Sequence, residues 1–174
     1  MNHINIRNAL HDILSDLTLA RPITIGLNLP ETAFSQKHLP LVVLDQPVLE
    51  DMTNWDNLYQ REVYSATIRC IDAYRNAPDG VDAAVQYIQW LRLKVVQKLQ
   101  ASNHMNLQHL HCHNSFVTYD FQNEVEEFEG LNLVMLSVNL SIPVIVLKTS
   151  TWTFSDGIGT SGESLDYNNL ITED

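Results

Sequence analysis

The run at residues 131–147, LNLVMLSVNLSIPVIVL, constrains the fold more than any other part of the sequence. Its even-numbered positions Val134, Leu136, Val138, Leu140, Ile142, Val144 and Val146 are all apolar, whereas Ser137, Asn139 and Ser141 make part of the opposite face polar. A period of two places successive side chains on opposite faces of a strand. The segment therefore predicts a very long strand in a sheet that is covered on one face. At about 3.3 Å per residue an unbroken run of this length spans roughly 50 Å, beyond the ordinary strand of a small domain. Such a strand needs a partner strand, a helix across its apolar face or a neighbouring subunit, and it points toward assembly more than toward a catalytic pocket. Pro143 removes a ladder donor, which predicts an edge, a bulge or a break there and divides the run into two segments serving different neighbours.

Elements that can cover this strand lie upstream. Ile6, Leu10, Ile13, Leu14 and Leu17 recur at helical spacing and predict an amphipathic helix over residues 5–20, ended by Arg21-Pro22. Short strands follow at 23–27 and, after Pro40, at 41–44. Residues 45–60 carry Pro47 and several acids and read as an exposed loop, in which Trp55 and Tyr59 are candidate interface anchors. A second long strand is predicted over 61–74, with Tyr64, Ala66, Ile68 and Cys70 on one side. The Asn76–Gly80 turn breaks it, and Asp79 is placed to cap the next helix, with Asp82 in its first turn. That helix runs over 81–100, with Val81, Ala84, Val85, Ile88, Leu91, Leu93, Val95, Val96 and Leu99 as its apolar set and Arg92, Lys94 and Lys98 toward its C-terminal end. One or two strands are expected within 107–121, and Glu124, Glu126, Glu127 and Glu129 mark an acidic surface connection into the 131–147 run.

This order predicts an α+β fold: a mixed or mainly antiparallel sheet with two principal helices on one face. The folded domain spans residues 1–148. From residue 149 to 174 the chain turns to Ser, Thr, Gly, Asp and Asn and reads as an acidic extension, flexible or docked on a neighbour, with Trp152 and Phe154 as further aromatic anchors. The formal charge of -11 argues against general attraction to a nucleic-acid backbone. No stretch approaches an uninterrupted membrane-spanning length, which leads to an expectation of a cytosolic protein where it is made. Cys70 and Cys112 sit among apolar or strand-like residues and are expected to be buried, reduced thiols.

Residues 109–113, HLHCH, are the run that most suggests a metal site. In a strand, His109, His111 and His113 would share a face, where alternate imidazoles can hold a divalent ion; in a helix only His109 and His113 would. The HExxH spacing is missing, and so are a phosphate-binding glycine loop, a GxSxG elbow and a CxxC pair. Asp120 and the neighbouring glutamates supply carboxylates, but nothing in the spacing assigns an acid and a base.

The helix at 5–20, the strand at 39–44, the long strand at 61–74, the helix at 81–99 and the closing strand at 131–147 together resemble the tail terminator or minor tail (tail-completion) protein family of long-tailed bacteriophages. The resemblance is architectural and covers residues 5–147. It implies a noncatalytic subunit, without cofactor, that forms a homo-oligomeric, hexameric ring on the tail tube, ends tube growth and presents the surface that joins the head. Its implied partners are the tube protein and the head–tail connector, with DNA passing through the ring without specific binding and no membrane. The implied location is the head-proximal end of the virion tail, after assembly in the host cytoplasm. The 45–60 segment and the 149–174 extension depart from a simple small terminator. Two other readings remain: a small metal-dependent enzyme using His109, His111 and His113, and a soluble adaptor whose 149–174 tail recognises another protein.

Overall fold

The two longest strands lie side by side in the computed structural model, which describes residues 2–27, 39–56, 58–75, 77–102, 110–111, 117–128 and 131–147. The chain order is α1 (Asn2–Ser15), β1 (Thr24–Leu27), β2 (Leu41–Leu44), β3 (Val48–Asn54), β4 (Tyr59–Ala73), α2 (Gly80–Ala101), β5 (Leu110–His111), β6 (Thr118–Phe121), β7 (Glu126–Phe128) and β8 (Leu133–Leu147). Strands β4 and β8 are antiparallel over their whole length, from Tyr59 opposite Leu147 to Ala73 opposite Leu133. On its other side β4 pairs with β2 near one end and β3 near the other. The far side of β8 takes β7, β6 and β5 in turn, and β1 adds parallel to β2. The described strands thus form one open, mixed, mostly antiparallel sheet.

Alternation decides which face is covered. Every even-numbered residue from Val134 to Val146 is buried, together with Tyr64, Ala66, Ile68 and Cys70 of β4 and Val42 and Leu44 of β2. Helix α2 lays Ala84, Ile88, Leu91, Val95 and Leu99 on this face, and α1 adds Ile6, Leu10 and Leu14. Burial of each such aliphatic side chain contributes about 1.5–3 kcal/mol. The opposite face is not bare throughout: Leu41, Val43, Ile71, Leu133 and Met135 form a second, smaller buried cluster at one end of the sheet.

Several sequence expectations change. Helix α1 begins at Asn2 and stops at Ser15, short of residue 20, because the Leu17 amide bonds the Leu14 carbonyl three residues back at 2.9 Å and tightens the last turn. Residues 45–60 are not a loop: Val48–Asn54 forms β3, hydrogen-bonded to β4. The acidic connection before β8 contains the short strand β7. Leu93 is exposed and Arg92 buried, since Leu93 falls two positions, about 200°, from Leu91 on the helix. Asp79 makes no side-chain cap bond, although its carbonyl accepts the Ala83 amide at 3.0 Å.

Pro143 neither ends nor divides the long strand; it sits opposite Val63 within a continuous β8. The Ser137 carbonyl accepts the Gln122 amide, so odd-numbered residues of β8 turn their backbone groups away from β4. The donor that Pro143 lacks therefore falls on the side where, among the described residues, the β6 ladder stops at Ser141 and the β5 ladder begins at Ile145.

Candidate functional site

The β3–β4 hairpin is the most exposed apolar part of the described chain. Its turn is set by Asp56, whose Oδ1 accepts the amides of Leu58 and Tyr59, both at 2.7 Å. The Tyr59 carbonyl in turn accepts the amides of Trp55 and Asp56 at 3.1 Å. A short acid that bonds amides two and three residues ahead is a standard way to close such a turn. Every residue of β3 is exposed. Relative exposure reaches 61% at Val48, 58% at Met52 and 64% at Trp55, with Leu49 and Leu58 also open.

Apolar side chains of β3 are open on both of its faces. Val48 lies opposite Ser65 on one face of the sheet, while Leu49 opposite Tyr64 and Met52 opposite Glu62 lie on the other. An irregularity between Leu49 and Asp51 allows the strand to switch its alternation there. No other strand among the described residues pairs with the outer edge of β3. Scattered exposed apolar side chains are ordinary, but a contiguous set on an open edge strand is a candidate interaction surface.

The inner strand of the arm carries a buried polar group. Gln60, Glu62 and Tyr64 alternate along one face of β4; Gln60 Nε2 donates to Glu62 Oε1 and the Tyr64 hydroxyl donates to Glu62 Oε2, both at 2.6 Å. Charge-assisted bonds to both oxygens hold these side chains in one arrangement along the buried face of β4, starting next to the turn.

Of the aromatic anchors expected from sequence, Trp55 stands at the exposed turn and Tyr59 is half-buried at the start of β4. Trp152 and Phe154 lie outside the described residues, as do His109, Cys112 and His113. His111 is in β5, paired with Ile145. Among the described residues no three His, Cys, Asp or Glu side chains gather to hold a metal ion.

Sequence reasoning missed the partners of two arginines. Arg21, read only as a helix terminator, grips Asp72 and places its guanidinium 4.9 Å from the Tyr87 ring centre. These residues border a cleft of about 450 Å³ that Gly80, Ala83 and Arg75 also line. The hydrogen bonds Arg21 donates to Asp72 raise its pKa, and burial pushes the Tyr87 phenol up. Arg92 lies beneath the sheet edge, donating through Nη1 to the Gln122 and Ser137 carbonyls and facing the Phe121 ring at 5.0 Å. Burial lowers the Arg92 pKa and pushes the neighbouring Cys70 thiol up to about 12. Alternating signs of charge in a sequence carry no information about such partners, because residues 21 and 72 are separated by 51 positions.

No protein-family model matches the chain, and comparison with curated proteins finds no match.

Proposed function

We propose that this protein is a noncatalytic structural subunit that assembles with copies of itself into a closed ring, in the manner of the phage tail-completion proteins its element order resembles. The observation that carries the reading is the β3–β4 arm, whose outer strand β3 carries exposed apolar side chains on both faces and whose inner strand is anchored in the β4–β8 pair. A surface of this kind is completed by another protein. In the ring, one face meets the last layer of the tail tube and the other receives the head–tail connector, so tube growth stops because the exposed face differs from that of a tube subunit. Closure also satisfies every lateral interface without indefinite growth. Trp55 and Tyr59 contribute to the lateral contact, and the 149–174 extension, with Trp152 and Phe154, reaches a neighbouring subunit.

Electron microscopy of the purified protein, alone and mixed with the tail tubes of its virion, tests this. Rings, free or seated on tube ends, are expected. Monomers that neither close into rings nor touch tube ends would overturn the proposal.

A further inference from the structure

The outer side of α2 presents an apolar patch with a basic rim. Trp90 and Leu93, three residues apart on the side of the helix away from its buried stripe, are 41% and 46% exposed; Lys94 lies one turn on from Trp90, and half-buried Lys98 one turn further, on the flank beside the stripe. The patch is organised before any partner arrives. Trp90 packs against Tyr87 at 5.7 Å between ring centres, Lys94 Nζ lies 6.0 Å from the Trp90 ring, and the same ammonium donates to Gln97 Oε1 at 3.2 Å. The arm has the complementary composition: its apolar Val48, Met52 and Trp55 are flanked by exposed Glu50 and Asp51. Among the described residues none of Glu50, Asp51, Lys94 and Lys98 forms an ion pair.

We infer that the occupant of the α2 patch is the β3–β4 arm of a second copy of this chain. The inference rests on the assembly reading above and specifies the two surfaces that meet. Charge selects between the possible pairings. Arm against arm would face Glu50 and Asp51 with their own copies, and patch against patch would face Lys94 and Lys98 with theirs. Arm on patch puts apolar groups together and surrounds them with opposite charges, the arrangement in which rim electrostatics steer and orient association. It is also a heterologous contact, each copy giving an arm and receiving one, which is the type that generates rings when the rotation closes.

Two charge-reversed full-length chains test the pairing by sedimentation velocity: Glu50→Lys with Asp51→Lys, and Lys94→Glu with Lys98→Glu. Thermal melting first confirms that each is folded, and Leu93→Glu serves as the helix-side variant if the lysine pair is not. Each variant alone is expected to assemble about tenfold more weakly than the wild type, since arm and patch then carry the same sign. An equal mixture of the two charge-reversed chains is expected to recover assembly, because copies alternating around a ring restore opposite charges at every contact. If the wild type assembles and the helix-side variants assemble equally well, the arm docks elsewhere; this inference falls and the assembly reading stands. A wild-type chain that stays monomeric at every concentration overturns both.

Discussion

Arg21 holds Asp72 through both terminal nitrogens, Nη1 to Oδ2 at 2.5 Å and Nη2 to Oδ1 at 2.8 Å, and so ties the segment after α1 to the end of β4. The acid is almost wholly buried while the guanidinium is half open to solvent. Asp72 Oδ1 also accepts the Ala73 amide at 2.9 Å, so removal of Arg21 leaves the carboxylate partly satisfied and still charged.

Arg21→Ala is accordingly expected to destabilise the fold by about 2 kcal/mol, in the range for loss of charge-assisted hydrogen bonds at a partly exposed pair. Arg21→Lys should recover only part of this, because an ammonium cannot reproduce the two-pronged contact. Urea unfolding followed by circular dichroism measures both, and an unchanged midpoint for Arg21→Ala would show that the pair contributes nothing.

Arg92→Leu keeps most of the apolar stem but removes the donor to Gln122 and Ser137. A loss of about 2–3 kcal/mol is expected. It should be accompanied by faster hydrogen exchange at the Gln122 amide, whose bond to Ser137 anchors the end of β6.

At Gly80, propensity and sterics oppose each other. Alanine within a helix is favoured over glycine by about 1 kcal/mol. A Cβ at this position would lie 1.9 Å from the Arg75 carbonyl oxygen, a backbone atom that cannot simply rotate away. Steric conflict dominates, and Gly80→Ala is expected to lower stability by about 1–3 kcal/mol. A rise in melting temperature would show that the turn relaxes freely.

Cys70 makes stability depend on alkaline pH. Its thiol is raised by burial from an ordinary value of 9.0 to about 12, with Arg92 opposing the shift. Between these values the unfolded chain has lost the proton and the folded chain retains it, so this contribution is fully present below pH 9 and is lost as pH rises toward 12. The stability difference between wild type and Cys70→Ala should therefore change by up to about 1.4 kcal/mol per pH unit through that window. Equal pH slopes for the two proteins would refute the assignment. In a Cys112→Ser background, labelling of Cys70 by a thiol reagent should proceed only as fast as the protein opens.

What could be read in advance follows from which forces are local. The alternation of β8 and the apolar stripe of α2 were plain in the sequence because each buries one face against a continuous core. Residues 48–54 carried no such signal: neither face of β3 is covered, so VLEDMTN has no alternation to show, and its strand is defined by pairing with β4. Arg92 reads in the sequence only as one of three basic residues toward the C-terminal end of its helix, whereas the carbonyls that hold it come from the end of β6 and from β8, far along the chain. Leu93 is the opposite case, an apolar residue counted with the core although helical geometry turns it outward. Of the candidate interface, Trp55 was legible as an aromatic in polar surroundings; Met52 and Val48 were not, because exposure of an apolar side chain is a property of tertiary packing. Pro143 was read correctly as a missing donor, but its effect depends on the spacing of β5 and β6, which the sequence near it does not encode.

The unbroken fifteen-residue pairing of β4 with β8 also determines how the arm responds to force. A pull at Trp55 along the axis of β4 stresses the hydrogen bonds of that ladder in parallel, as shear, so they must yield together instead of opening one by one from an end. A subunit gripped by its hairpin would thus pass tension straight into its most continuous seam, behaving as a stiff strut under a moving load.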